Sequence, residues 1–319
     1  MKIGAAQLRP VWLRPKQTTA KIIEAIAEAS SKGIELLAFS ESFLSGYPFW
    51  LCRTDGASFD SPLQKRAYAQ FLDSAVEVPS EEVSLIVSAC RDYNVSVYLG
   101  INERGSASAR GSIFCSLLAI HRERGLLSTH RKLVPTFDER LCWAHGDGKG
   151  LVVHQFGDFR AGGLNCWENW MPMARFAMYA GGEDIHVSVW PGNASVSNEA
   201  TKLIAIEGRV WSLNSTGLLS LSDVPEDFAL FQELKEQGVD KIFTGGSQIV
   251  SPSGEVVAQA GDSTEEIIWF DADLQTVREE RRNFDVSGHY YRPDVFRLSI
   301  DRSRLQALHT HAPETEEDK

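Results

Sequence analysis

Apolar residues along this chain keep two spacings, one suited to strands and one to helices, and they rarely run long. Residues 2–8 (KIGAAQL) form a first predicted strand. Over 17–32, Ile22, Ile23, Ile26 and Ala27 fall at helical spacing, and Gly33 is placed to cap the C-terminus. The run 35–40 (ELLAFS) has the short apolar character of a strand buried on both faces. Ser61-Pro62 opens a predicted helix over 62–77, as cap and first-turn proline, and another follows Pro79-Ser80 and ends near Asn94. Strand-like runs then come at 95–101, 112–120, 126–130, 151–156 and 160–166, with hairpin turns at 122–125 and 157–158. Helical spacing returns at about 171–181 and 199–214, around a strand at 185–190. Near the end, SQIVSPSGEVVAQ reads as strand, turn, strand about 251–254. Helices alternate with strands but hairpins are mixed in, which predicts an α/β fold with mixed rather than purely parallel sheets.

Composition narrows the classes of function. At 43% hydrophobic and 24% charged, the 319 residues have the balance of a globular protein, not of a disordered one. The net charge of −11, with no block of Lys or Arg, argues against a nucleic-acid partner, which needs a concentrated basic face. No stretch reaches the roughly 20 apolar residues of a membrane span, and MKIGAAQLRP is interrupted too early for a signal peptide, so a soluble cytoplasmic protein is expected. The five cysteines, at 52, 90, 115, 142 and 166, are odd in number and widely spaced, unlike a disulfide framework or a thiol-rich zinc site. Residues 309–319 (HTHAPETEEDK) are polar and acidic and read as a tail.

Three stretches each put a reactive side chain just past a predicted strand, where side chains from distant parts of an α/β chain converge. In FSESFLSGYPFW (39–50), Glu41 follows an apolar run; there it is either solvent-facing or held with a raised pKa for proton transfer. In HRKLVPTFDER (130–140), Lys132 could set a fixed positive charge beside an anionic transition state or a thiolate; otherwise it is a solvated loop lysine. In GGLNCWENW (162–170), Cys166 sits at a strand-to-helix junction, where backbone N–H groups and the helix dipole lower a thiol pKa. A cysteine taken blindly is a small buried hydrophobe, and Cys52, Cys90, Cys115 and Cys142 lack that junction.

Together, and in this order, the three stretches resemble the Glu, Lys and Cys motifs of the nitrilase superfamily. GGSQIVSPSG (245–254) resembles the family's glycine-rich strand and turn, and GHYYRPDVF (288–296) a C-terminal segment of true nitrilases. The resemblance covers roughly residues 1–296 and leaves 297–319 as a C-terminal tail. Cys166-Trp167-Glu168-Asn169 after HRKLVPT is similar to the branch acting on C≡N, with cyanide dihydratases as neighbours. The chain departs at Ser40, where proline is common, and over Cys142–Gly148, where Trp-Gly-x-Gly-Asp-Gly is usual.

The resemblance implies a four-layer αββα sandwich, and association of helix-bearing faces into dimers or longer spirals. It implies that Cys166 attacks a nitrile carbon, that Glu41 moves protons, and that Lys132, helped by the Trp167 N–H, stabilises the tetrahedral species. Glu139 matches a second family glutamate that positions Lys132 or water. Tyr47, Phe49 and Trp50, with Trp167 beside the thiol, are candidates for the substrate pocket; core packing explains the first three nearly as well. No cofactor is implied: HGDGKG (145–150) lacks phosphate-loop spacing and reads as a turn, and Cys142 with His145 has no second pair to complete a metal site. A small-molecule nitrile is the expected partner. A cyanide dihydratase, an amidase, or a non-catalytic scaffold of the same fold are the competing readings.

Overall fold

The computed structural model describes residues 1–192, 194–238 and 240–305. The first half of the chain builds β1 (Lys2–Gln7), α1 (Pro15–Ser31), β2 (Leu36–Phe39), α2 (Pro62–Ser74), α3 (Glu81–Asp92), β3 (Ser96–Arg104), β4 (Ile113–His121) and β5 (Gly125–Arg131). There follow β6 (His154–Phe156), β7 (Phe159–Asn165), α4 (Pro172–Ala180), β8 (Ile185–Trp190), α5 (Ala194–Gly208) and β9 (Trp211–Thr216). The remainder is β10 (Leu218–Ser220), α6 (Phe231–Glu236), β11 (Lys241–Thr244), β12 (Gln248–Val250), β13 (Val256–Gln259), β14 (Glu266–Asp271) and α7 (Leu274–Arg281).

The capping signals worked as local chemistry predicts. Pro15 and Pro62 each open a helix, the hydroxyls of Ser61 and Ser80 accept N–H groups of the first turns of α2 and α3, and Gly33 turns the chain out of α1 at φ 72°. Some boundaries differ from the sequence pattern. The helix expected over 199–214 stops at Gly208, and 211–216 is the strand β9. Arg209 takes a left-handed φ of 50°, and a Cβ on Gly208 would overlap the Tyr179 ring, so helix and neighbour meet at a point where only glycine fits. The strand expected at 151–156 is shorter, 154–156.

β10 and β11 pair antiparallel as a separate two-stranded sheet, and the other twelve strands form two six-stranded sheets, ordered β14-β1-β2-β3-β4-β5 and β13-β12-β9-β8-β7-β6. Each has three parallel strands at its heart, β1-β2-β3 and β7-β8-β9, flanked by antiparallel ones. Period-2 alternation gives every central strand two buried faces. Ile3, Ala5, Leu36, Ala38 and Leu117 of the first sheet meet Ala161, Ile185, Val187 and Leu213 of the second in the inner core. Ala6, Leu37, Phe39 and Leu99 face outward onto α1 and α3, through Ile22, Ile26 and Ile86. On the far side, Leu164 packs under Ala174, Ala177 and Met178 of α4. Each buried Leu or Ile contributes about 1.5–3 kcal/mol. The result is the four-layer αββα sandwich. Residues beyond the last helix return to it: Leu298 and Ile300 pack beside Leu133 and Leu151, and Arg304 pairs with Asp147 at 3.1 Å. The tail at 309–319 lies outside the described residues.

Candidate active site

Three chain reversals meet at the seam between the sheets. After β2 the chain turns through Ser40–Ser45, and Glu41 is carried inward. Its N–H donates to the Trp190 carbonyl at the end of β8, in the other sheet (3.3 Å). The turn lies directly on β3 at Gly100: a Cβ there would stand 2.7 Å from Glu41 Cα and overlap the Ser40 carbonyl. Ser42 takes a left-handed φ of 56° to complete the turn.

Lys132 follows β5. Its N–H donates to the Cys115 carbonyl (2.7 Å) and its carbonyl accepts from Gly146 (2.8 Å), which fixes the backbone before the side chain turns inward. Nζ donates to Glu41 Oε1 at 2.9 Å and to Glu139 Oε2 at 2.7 Å, with all three side chains sealed from solvent. Glu139 sits in the short turn Phe137–Leu141. Its Oε2 also accepts the Thr136 N–H (2.6 Å), and its Oε1 accepts the Tyr47 hydroxyl (2.8 Å).

Cys166 completes the group. Its sulfur and one carboxylate oxygen each of Glu41 and Glu139 lie within 4.8 Å of one another. Like Ser42 and Phe137, Cys166 is a non-glycine residue at positive φ (48°), so local strain collects around the cluster. Two carboxylates and a thiol could ligate a metal, but the Lys132 ammonium already bridges the carboxylates and supplies the positive charge.

Burial decides the electrostatics. It raises Glu41 to about 7, against the attraction of Lys132 and with the repulsion of Glu139. Burial works to lower Lys132, but Cys166, Glu41 and Glu139 together hold its ammonium well above the ordinary range. The Cys166 thiol is pushed well up, first by burial and then by Glu41 and Glu139, with Lys132 and the Trp167 N–H pulling the other way. This corrects the expectation of a lowered thiol. Cys166 opens a 3₁₀ turn, Cys166–Trp170, and α4 begins only at Pro172, so no helix dipole points at the sulfur. Glu41 Oε1 is held by Lys132, and its Oε2 has no hydrogen-bond partner among the described residues.

The aromatic candidates divide. Tyr47 borders a small space beside Glu41, together with Ser40, Leu219 and Phe243. Phe49 and Trp50 do not reach it: Phe49 packs on Trp12, and Trp50 packs edge-on to Phe71 and Phe228. Trp167 is half exposed.

Several contributors carry no motif of their own. Cys115, buried in β4, donates its S–H to Glu41 Oε1 (3.4 Å). Glu168 ties together the two loops that carry the lysine and the cysteine. Its oxygens accept the N–H groups of Leu133 (2.6 Å) and Asn165 (2.9 Å), and it faces His130 Nε2 at 3.0 Å. Although burial opposes it, His130 and these N–H groups hold the Glu168 carboxyl below its usual range. HGDGKG is a turn, as expected; Asp147 accepts from Lys149 N–H (3.1 Å) and from Arg304.

The fold holds a buried Glu41–Lys132–Glu139–Cys166 cluster, and sequence comparison gives the family. Residues 2–282 match the carbon–nitrogen hydrolase model, and the chain belongs to that family. Among individual relatives, it is 34% identical over 306 residues to "Nitrilase 2" from an unknown prokaryotic organism, covering 94% of this chain and 92% of that one. It is 32% identical to an aliphatic nitrilase of Sinorhizobium fredii, across 98% and 99% of the two chains. Solved structures share the fold. A carbon–nitrogen hydrolase from Helicobacter pylori G27 matches with a TM-score of 0.69 at 18% identity, covering 92% and 96%. An amidase from Nesterenkonia sp. AN1, in which acrylamide has added to the active-site cysteine, matches with a TM-score of 0.64 at 18% identity, covering 89% and 99%. The enzyme is thus a hydrolase acting on carbon–nitrogen bonds other than peptide bonds.

Proposed function

We propose that this enzyme is a nitrilase, converting an organic nitrile and two waters to the carboxylic acid and ammonia. The observation that carries this reading is the sealed cluster of Cys166, Glu41, Lys132 and Glu139, with the thiol and an oxygen of each carboxylate within 4.8 Å of one another. Glu41 takes the thiol proton as sulfur adds to the nitrile carbon, and delivers it to the nitrogen, giving a thioimidate. Water, deprotonated by Glu41, then adds; that proton and the proton of the new hydroxyl both pass to nitrogen, the C–N bond breaks to release ammonia, and a thioester remains. A second water opens it to the acid and restores the thiol. Lys132 and the Trp167 N–H stabilise the anionic nitrogen or oxygen at each addition. Glu139 keeps Lys132 aimed and charged. Full-length relatives at 31–34% identity carry nitrilase names, which favours C≡N over the amide.

The space beside Glu41 is about 10 Å³, the room of a single water. Tyr47, Leu219 and Phe243 border it on the Glu41 side. The aliphatic nitrilases among the relatives favour an aliphatic nitrile, and cyanide is the second reading. The working form is a cytoplasmic homo-oligomer; exposed Met173, Leu203 and Ile206 on α4 and α5 support a helix-bearing contact face.

Ammonia release from a panel of nitriles, cyanide and the matching amides tests this, with Cys166→Ala as the blank. Cys166-dependent release from organic nitriles is expected, with a loss in Cys166→Ala of at least about 10³-fold, or 4 kcal/mol of barrier. Release from amides alone overturns the reading.

A further inference from the structure

The mechanism gives no task to a second buried polar chain that ends on the nucleophile. Asn169 Nδ2 donates to the Cys166 carbonyl (2.8 Å) and to the Leu164 carbonyl (3.3 Å). Asn169 Oδ1 lies 2.9 Å from His186 Nε2, and His186 Nδ1 lies 2.8 Å from Glu183 Oε1. Asn169, His186 and Glu183 have no solvent exposure. His186 is on β8 between Ile185 and Val187, which face the inner core, so it stands on the side of the strand turned to α4 and α5.

We infer that Asn169, oriented by the buried pair His186–Glu183, is the positioning residue that holds Cys166 in its left-handed conformation. This rests on the reading of Cys166 as the nucleophile.

Donor and acceptor roles along the chain are forced. Two carbonyls require the amide nitrogen of Asn169 on their side, so Oδ1 faces His186. Nε2 of His186 must then be the donor. That leaves one proton shared between His186 Nδ1 and Glu183, so each bond fixes the direction of the next. The far end is anchored too: Arg281 donates to the Glu183 carbonyl, and Arg175 Nη1 to the Asn169 carbonyl (3.1 Å). A sequence of buried polar groups is costly unless fully satisfied, and an apolar pair at 169 and 186 would pack without that cost. What apolar residues could not do is grip the carbonyls on either side of Asn165. Cys166 holds a φ of 48°, which an L-residue leaves readily for ordinary backbone unless its carbonyl is fixed. Released, the peptide would rotate and carry the sulfur away from Glu41.

His186→Leu removes the donor while keeping an apolar shape, and His186→Gln can return an N–H near the Nε2 position. The rate of Cys166 alkylation by iodoacetamide, mapped by mass spectrometry to separate it from exposed Cys52, is read beside kcat, KM and the melting temperature. His186→Leu is expected to slow alkylation and kcat together by about tenfold or more, with KM within about twofold, and His186→Gln to recover most of both. Asn169→Asp, which keeps volume but loses both donor bonds, is expected to be at least as impaired. Folded His186→Leu or Asn169→Asp protein with wild-type alkylation overturns the inference, as does His186→Gln no better than His186→Leu. Should His186→Leu not fold, the Gln and Asp variants still decide: near-native alkylation for the first and slowed alkylation for the second support it, and any other pattern overturns it. Alkylation needs no nitrile, so failure of nitrile turnover leaves this result readable on its own.

Discussion

The ammonium of Lys132 is shared between Glu41, at 2.9 Å, and Glu139, at 2.7 Å, with none of the three reaching solvent. Removing the cation leaves two buried carboxylates facing each other. Lys132→Ala is therefore expected to lose at least about 10³ in kcat and about 3–5 kcal/mol of stability. Urea unfolding and ammonia release check both, and a stable, active variant would remove Lys132 from the mechanism. Lys132→Arg will not substitute, because a forked guanidinium cannot occupy a point between two carboxylates built for one ammonium.

Gly100 is an unmarked residue on which Glu41 depends. Its Cβ position is taken by the backbone of Ser40–Ser42, which has no flexible end to move aside. Gly100→Ala is expected to cost about 1–3 kcal/mol and to displace Glu41, lowering kcat more than tenfold (roughly, by the same overpacking strain). Wild-type kinetics in that variant would show that the turn adjusts freely.

With Glu41 raised to about 7, the acid limb of kcat/KM is expected near that pH, because the proposed mechanism needs Glu41 ionised to accept the thiol proton. The Cys115 S–H stabilises the carboxylate form. Cys115→Ala should move the limb to higher pH, and Cys115→Ser should move it back. A limb unmoved by either variant would remove Cys115 from this role. The same shift has a sign for stability. A carboxyl raised from 4.5 contributes stability below 4.5, and that contribution is lost as pH rises through about 7.

Glu168 behaves oppositely. Its folded carboxyl is held low, so its contribution is present above the ordinary carboxyl value and is lost as pH falls through the folded one. Glu168→Gln, which cannot accept all its N–H donors, is expected to cost about 3 kcal/mol at pH 7 and to flatten that acid dependence. Unfolding midpoints across the acid range check this; a midpoint equal to wild type at pH 7 would contradict it.

How much of this was legible in the sequence depended on how local each signal is. The strands preceding Glu41, Lys132 and Cys166 showed as apolar runs, and the proline and serine caps placed α2 and α3. The strand β9 did not show, because Val210, Trp211 and Leu213 continue a spacing that α5 also satisfies. Only pairing with β8 and β12, remote in sequence, makes them a strand. Cys115 read as ordinary core for the same reason, since its partner Glu41 is 74 residues away. For Phe49 and Trp50 the sequence left pocket wall and core packing nearly equal, because their type suits both and periodicity in a loop cannot separate the two. Glu168 and Asn169 stood in view beside Cys166, but their roles are set by His130, Leu133 and His186, which no spacing brings together.

The two sheets do not merely carry the cluster; they divide it. Glu41 and Lys132 follow strands of one, Cys166 follows a strand of the other, and the Glu41 N–H reaches across to Trp190. Neither sheet carries both the proposed base, Glu41, and the proposed nucleophile, Cys166. In the proposed mechanism, the chemistry therefore depends on the two sheets being docked. On that mechanism, turnover is expected to report whether the two sheets are joined.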